Sequence, residues 1–263
     1  MGKDRNGMTR RDFLKTASAG MAMGIAGRPD WLLAKEDYDL AVISGDPAAA
    51  TKKAVEALGG MPRFVKKGQR VVLKPNILER SGMLDAVQAL KGVHVLALEE
   101  RKFYREIKVP QGKTFDRVEI MREVLESDVL ISIPQAKSHS ATGVSLGLKG
   151  LMGVIWDRYS FHSKYDIDQA IVDLATVIKP QLTILDATRA LVSGGPGGPG
   201  EVVKPNLIIA GTDPVAVDSY AVSVAPWYGQ NFKGRQVKHI LTAHQRGLGK
   251  IDLEQMKILK EKA

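Results

Sequence analysis

A dense group of hydrogen-bond donors follows the apolar segment Val129–Ile133. These side chains are Lys137, Ser138, His139, Thr142 and Lys149. Ammonium, imidazole and hydroxyl groups all donate to anionic oxygens, and a glycine such as Gly143 lets backbone N–H groups approach a ligand closely. The stretch is therefore predicted to bind a small anionic ligand or a metal–ligand complex, either as an enzyme or as a binding protein.

Further polar residues follow other predicted strands. In open parallel sheets, ligands bind beyond the carboxyl ends of the strands, so residues at these ends are candidates for the same site. Lys74 and Asn76 follow one strand, Asp186 ends another, and Asp213 follows a third. Helix capping is the preferred explanation for Asp213, because Pro214 comes directly after it. Lys74, Asn76 and Asp186 are expected to lie close to Lys137.

Three of these residues are candidates for catalysis, namely His139, Lys137 and Asp186. His139 could transfer a proton or hold a metal, although a lone histidine is more often structural. Its possible partners are His162, Asp157, Asp166 and Asp186. A divalent metal is possible, but the sequence has no pair of histidines spaced for one helix face. Lys149 lies in an apolar run beside Gly147, Gly150 and Gly153, whose spacing predicts close helix packing.

Composition excludes several classes of protein. The 263 residues contain no cysteine, which rules out disulfides, thiol catalysis and Cys-ligated iron–sulfur or zinc sites within this chain. The net charge is +9, but residues 1–34 hold six Lys/Arg and three Asp and so account for three of those charges. The remaining positive charge is dispersed among acidic residues, so nucleic acid is not an expected partner.

The N-terminus is typical of a twin-arginine export signal. Arg10-Arg11 precede Phe13-Leu14, and the twelve residues Thr16–Gly27 are uncharged and weakly apolar. Twelve residues are too few for a membrane-spanning helix, which needs about twenty. Residues 1–34 are therefore predicted to direct export through the twin-arginine machinery, giving a periplasmic or other extracytoplasmic protein. Cleavage after Ala34 and retention as an uncleaved anchor both stay open.

From Tyr38 onward, short apolar runs alternate with amphipathic segments. This pattern predicts a single α/β domain over residues 38–263, with an open, mostly parallel sheet and helices on both faces. The predicted strands are Leu40–Ser44, Arg70–Lys74, Val93–Leu98, Val129–Ile133, Leu182–Asp186 and Asn206–Ala210. The predicted helices are Ala48–Leu58, Leu84–Leu90, Arg117–Glu126, Asp168–Ile178, Pro214–Val224 and Gln236–Arg246. The Gly/Pro-rich segment Ser193–Gly200 is a loop, either a lid over a site or an inert connector.

Several motifs resemble the bacterial and archaeal family known as domain of unknown function 362. The matching segments are Val72–Asn76, Asp128–Pro134, Lys137–His139, Thr142–Gly143, Leu148–Gly153, Pro180–Ala187, Gly194–Gly200 and Ala210–Asp218. The resemblance covers most of the chain from Tyr38 but implies no known reaction. Some relatives carry ferredoxin modules, which implies that the family acts near electron transfer. An accessory role beside a redox partner protein is therefore the alternative hypothesis.

The resemblance also predicts a difference in length. Relatives have about one more helix–strand unit after the Lys-Pro-Asn motif, whereas here a helix is expected only a few residues after Asn76. The chain therefore resembles a short form without a ferredoxin module. Ligand contacts supplied by the missing unit would be lost, so a shortened, inactive relative is a third hypothesis.

Overall fold

The computed structural model describes residues 37–76, 92–96 and 98–263. The predicted export segment and the predicted helix Leu84–Leu90 lie outside these residues. The described strands are β1 Leu40–Ser44, β2 Val71–Pro75, β3 Tyr104–Lys108, β4 Arg117–Met121, β5 Val129–Ile133, β6 Gln135–His139, β7 Gly143–Ser145, β8 Leu182–Leu191, β9 Val202–Val203, β10 Leu207–Gly211 and β11 Ile258–Lys262. Among them, nine form one sheet with the order β11-β1-β10-β8-β5-β2. In this sheet β6 and β9 also pair with β8, and β7 pairs with β6.

Most strands of this sheet run in one direction, as predicted. β11, β1, β8, β6, β5 and β2 share it, while β10, β7 and β9 run the opposite way. The reversal of β10 follows from its connection to β8. A parallel neighbour needs a long crossover, usually through a helix, and residues 192–206 contain only a loop and the short β9. The carboxyl end of β10 therefore lies at the opposite edge of the sheet from those of β2 and β5.

Helices cover both faces of the sheet, which confirms the predicted architecture. The described α-helices are α1 Pro47–Ala57, α2 Met61–Phe64, α3 Arg122–Leu125, α4 Gly147–Gly150, α5 Arg158–Ser163, α6 Ile167–Val177, α7 Pro214–Val222 and α8 Lys238–Gln245. In β1, Ala41 and Ile43 pack in one core cluster with α1, while Leu40 and Val42 pack in the other with α6, α7 and α8. This alternation is the period of two expected for a strand buried on both faces.

The predicted cap of the first helix is present. The Asp46 carboxylate accepts hydrogen bonds from the N–H groups of Ala48 and Ala49, and Pro47 occupies the first helical position. Within the described ranges, no helix has the length and apolar character needed to cross a membrane.

Two predicted elements were wrong. Arg117–Glu126 is not one helix, because Val118 and Ile120 are buried with a period of two in β4, which pairs with β3, and only the single turn α3 follows. The described residues of Val93–Leu98, namely 93–96 and Leu98, form no strand. None of these residues is buried, so the segment lacks the apolar burial that holds a strand on a sheet.

One strand that the sequence did not predict changes the position of the donor-rich stretch. Pro134 has no N–H group and separates β5 from β6, which then pairs with both β7 and β8. Lys137 and His139 thus belong to a short strand rather than to a loop after β5. The strand fixes the backbone of both residues.

Candidate anion-binding site

Four positively charged side chains line one cavity of about 150 Å³. Lys74, Lys137 and Lys149 come from β2, β6 and α4, and Arg158 comes from the start of α5. The other lining residues are Asn76, Ser145, Gly150, Met152, Gly153, His162 and Pro196. None of these described lining residues is acidic. We call this space the lysine cavity.

Parallel strand pairing brings the first two lysines together. β2 lies beside β5, with Lys74 opposite Ser132, and the Asn76 N–H donates to the Ile133 carbonyl at 3.0 Å. Lys137 Nζ then donates to Asn76 Oδ1 at 3.4 Å. The expectation that Lys74, Asn76 and Lys137 lie close together is met in the structure, because the ends of β2 and β5 meet at the same edge.

Helix α5 supplies two cavity residues, of which sequence reasoning missed Arg158. The Asp157 carboxylate caps this helix by accepting from the Ser160 N–H at 3.0 Å. Arg158 and His162 are four residues apart, so they lie on one helix face, and both line the cavity. That spacing was the available signal, but nothing in the sequence indicated which way the helix would face.

Glycines in α4 and the following 3₁₀ helix, Leu151–Val154, make room for the Lys74 side chain. A Cβ atom at Gly153 would lie 2.9 Å from Lys74 Cε and 3.0 Å from its Nζ, whereas one at Gly150 would lie 3.8 Å from Nζ. These glycines do pack closely against another group, as predicted, and that group is the charged end of Lys74. The backbone approaches the lysine closely because these two residues lack a side chain.

Replacing Gly153 with Ala is expected to displace the Lys74 amine and weaken anion binding about three- to tenfold, part of the contribution of one charge-assisted hydrogen bond. Stability should change by less than about 1 kcal/mol, because the far end of a lysine can move. Isothermal titration calorimetry with phosphate measures the loss. Gly150→Ala is the matched comparison, with a smaller loss because its Cβ has space. Equal affinities for Gly153→Ala and the unmodified chain would contradict this role.

Mutual repulsion and burial act on the charges of the cavity. Burial, followed by the charges of Lys137, Lys149 and Arg158, lowers the pKa of Lys74 to about 8. Burial, then Lys137 and Arg158, lowers the pKa of Lys149 to about 8 as well. Burial also lowers the pKa of Lys137, which is only 9% exposed. An anion in the cavity would neutralise this excess positive charge.

Comparison with known proteins identifies the family of this chain and a relative of it. The family described as "Domain of unknown function (DUF362)" matches residues 34–223. The chain belongs to the DUF362 family. A similar relative is the "Thylakoid-associated protein sll1697" of Synechocystis sp., which is 25% identical over 241 residues and covers 71% of each chain. No solved structure matches the chain. The resemblance predicted from the motifs is thus confirmed.

His139 lies behind the cavity of the DUF362 domain rather than in its wall. The residue is 3% exposed, its Nδ1 accepts the Ala141 N–H at 3.2 Å, and its ring stacks on His162 with centroids 5.6 Å apart. Burial, then the charge of Lys149, lowers the pKa of His139 to about 4. The ring is therefore neutral near pH 7, and because Nδ1 is an acceptor, its proton is on Nε2.

The low pKa of His139 predicts a specific loss of stability in acid. An unfolded histidine takes up a proton below about pH 6.5, whereas the folded one does so only near 4, so falling pH favours unfolding between these values. Relative to a His139→Gln variant, the unmodified chain should lose up to about 3 kcal/mol of unfolding free energy across this window. Urea unfolding at a series of pH values measures it. Parallel pH curves for the two proteins would contradict the assignment.

Three other predicted residues lie around β6 but do not line the cavity. Ser138 Oγ accepts the Gly195 N–H at 3.0 Å, and Thr142 Oγ1 donates to the Val144 carbonyl at 2.9 Å. Gly143 has a φ of 75°, which a glycine adopts without strain in the turn to β7. These residues shape the backbone that carries Lys137.

The two predicted aspartates do not join the cavity. Asp186 Oδ1 accepts the N–H and hydroxyl of Thr188 in β8, at 2.8 and 2.7 Å. Asp213 lies at the opposite edge of the sheet because β10 is antiparallel, and it caps α7 by accepting from Val215 and Ala216. The expectation of one shared strand edge was wrong for Asp213, and the capping explanation agrees with its contacts.

The buried carboxylate of Asp218, which sequence reasoning did not select, supports α4. Asp218 in α7 is fully buried and accepts the N–H groups of Gly147 and Leu148, each at 2.8 Å. Burial raises its pKa to about 7. A Cβ at position 147 would lie 2.8 Å from Asp218 Oδ1, so glycine is required there. Asp218 thus fixes the start of the helix that carries Lys149.

The partners proposed for His139 do not form a metal centre in the described residues. Asp157 and Asp166 cap α5 and α6, and only His162 lies against His139. Across residues 37–76, 92–96 and 98–263, no three His, Asp or Glu side chains are grouped so that they could hold a metal ion.

The Gly/Pro-rich loop borders the lysine cavity. Pro196 lines it, and Gly195 packs so closely on Ser138 that a Cβ there would overlap the Ser138 carbonyl oxygen. Internal hydrogen bonds from Val192 to Glu201 and from Gly198 to Gly194 hold the loop closed on itself. The loop therefore lies against the lysine cavity, and its role as a lid or as an inert connector stays a prediction.

Proposed function

We propose that this DUF362 domain binds a small, multiply charged anion in the lysine cavity. The observation that carries the proposal is the convergence of Lys74, Lys137, Lys149 and Arg158 on one cavity whose described lining includes no acidic side chain. Placing like charges together lowers stability unless a ligand compensates for it. Their amines and guanidinium group match the oxygens of a phosphate, sulfate or carboxylate.

The size and charge of the lysine cavity limit the size and charge of the ligand that it can bind. Its volume of about 150 Å³ exceeds the roughly 30 Å³ occupied by one water but lies below the 300–1,000 Å³ typical of drug-sized ligands. It therefore suits a single anionic group. A bare divalent cation would be repelled by the lysines, so a metal would enter only as part of a complex with net negative charge.

The perturbed lysines also supply a chemical role. Lys74 and Lys149, each with a pKa of about 8, can donate or accept a proton close to neutral pH. Lys137 would hold the anion, and a neutral His139 would support the cavity wall through its contact with His162. If the protein is an enzyme, proton transfer by one of these two lysines is the step that the cavity favours.

We further propose that the protein acts outside the cytoplasm after twin-arginine export. The Arg10-Arg11 motif supports this location, and the association of the Synechocystis relative with thylakoids is compatible with it. Replacing both arginines with lysine should keep the protein in the cytoplasmic fraction of an exporting host. Unchanged export of that variant would exclude the twin-arginine route.

The proposed anion binding is tested by thermal unfolding of the full-length protein with phosphate, sulfate, diphosphate or chloride at matched ionic strength. A ligand at 100 times its Kd adds about 2.7 kcal/mol, which raises Tm by about 5–10 °C for a chain of this size. Mass spectrometry of the purified protein would show any anion retained from the host. Equal Tm values in all four anions would overturn the proposal. If the protein responds to none of these anions and recovers a redox partner stoichiometrically in a pull-down, the accessory role would be favoured instead.

A further inference from the structure

A second cavity of about 360 Å³ adjoins the lysine cavity. The two share Lys137 and Pro196 in their walls. We call the second one the loop cavity, because the segment Pro196–Gly200 forms much of its lining. The shared residues make the two spaces neighbours on either side of one lysine.

The two cavities differ in chemical character. The loop cavity is lined mainly by groups without polar side chains, namely Ala136, Leu191, Pro196, Pro199, Val202 and the loop glycines. Gln135 and Arg189 add donors. Positive charge is thus concentrated in the small cavity, and apolar surface in the larger one.

We infer that the ligand is an elongated molecule with an anionic group at one end and a largely apolar body. The inference rests on the proposed anion binding. The anionic group occupies the lysine cavity, and the body extends past Lys137 under the Gly/Pro-rich loop. The loop cavity alone reaches the lower end of the size range of small-molecule sites, whereas the lysine cavity holds little more than the charged group.

Alkyl phosphates of increasing length are direct probes of this arrangement. Calorimetry with inorganic, methyl, butyl and hexyl phosphate should show an affinity that rises about two- to fourfold for each methylene that enters the loop cavity. Hexanol, which lacks the phosphate, should not bind measurably.

Gly197→Phe tests whether the gain arises in the loop cavity. Gly197 lines the loop cavity, and a Cβ there meets no atom within 4 Å, so a phenyl ring can be accommodated at this position. We expect this variant to lose the gain from methyl to hexyl phosphate. Val202→Asn, on an exposed residue of the same wall, should reduce the gain without depending on how the loop accepts a ring.

The outcomes separate the two claims. Binding of inorganic phosphate with no rise along the alkyl series would overturn the elongated ligand and leave the anion site standing. A rise that persists unchanged in both variants would place the body elsewhere and would also overturn the inference. Failure of every phosphate to bind would overturn the inference, and the proposed function falls with it when sulfate and diphosphate also leave Tm unchanged.

Discussion

Lys137→Met is expected to lower the affinity of the protein for phosphate about 10- to 100-fold. Lys137 is nearly buried, lines both cavities and lies beside Asn76, so its amine would be a desolvated donor to the anion. A hydrogen bond to a charged group contributes roughly 1.5–3 kcal/mol. Methionine keeps most of the length of the side chain and removes the ammonium group, with its charge and its hydrogen-bond donors. Isothermal titration calorimetry measures the change.

The same substitution should raise the stability of the ligand-free protein. Burial and then repulsion by Lys137 lower the pKa values of Lys74 and Lys149. Removing Lys137 relieves that repulsion, so Tm without anion should increase while the anion-induced shift is lost. Lys67→Met, at an exposed lysine before β2, is the control and should change neither quantity. A Lys137→Met protein that binds phosphate as tightly as the unmodified chain would contradict the assignment.

Asp218→Ala is expected to destabilise the protein by about 2–6 kcal/mol. The substitution leaves the N–H groups of Gly147 and Leu148 buried without an acceptor, at a cost of roughly 1–3 kcal/mol each. It also opens a void where the carboxylate was. Because α4 carries Lys149, the loss of its anchor should weaken phosphate binding as well. Urea unfolding measures the free energy.

Two further substitutions test whether the loss of stability in Asp218→Ala is larger than the loss caused by removing another buried or capping carboxylate. Asp218→Asn keeps one oxygen acceptor and should cost about half as much. Asp213→Ala removes the N-cap of the same helix, whose carboxylate also accepts the N–H of the exposed Lys250, and should cost about 1–2 kcal/mol. An Asp218→Ala protein no less stable than Asp213→Ala would show that the two buried N–H groups do not depend on Asp218.

The part of the site that could be predicted came from strand ends. Apolar runs identified β2 and β5, and the rule that ligands bind at the carboxyl ends of parallel strands brought Lys74, Asn76 and Lys137 together. Lys149 was selected because burying an unpaired charge in an apolar segment is costly, which indicates a functional role for the lysine. These inferences depend on local pattern and on one general property of parallel sheets.

The remainder depended on tertiary structure. The antiparallel direction of β10 places Asp213 away from the lysine cavity, and this direction depends on how the loop after β8 returns to the sheet. The apolar pattern of a strand is the same for either direction, so the sequence did not indicate it. Arg158 faces the cavity only because α5 packs in one orientation. Asp218 and Gly147 are 71 residues apart, and no local feature indicated that the carboxylate would meet that backbone. The prediction of a helix over β4 failed because the apolar residues in this ten-residue run fit both the helical period of 3.6 and the strand period of two. Pairing with β3, which the sequence does not reveal, decides for a strand.

The position of the anion is the most direct test of the account. A crystal structure of the full-length protein soaked with selenate, a sulfate analogue whose selenium scatters anomalously, should show a selenium peak about 4 Å from the amines of Lys74, Lys137 and Lys149, with selenate oxygens about 3 Å from those amines. The same soak of Lys137→Met should show a weaker peak or none. Selenate bound only at surface sites, with the lysine cavity of the unmodified protein holding no anomalous peak, would contradict the account.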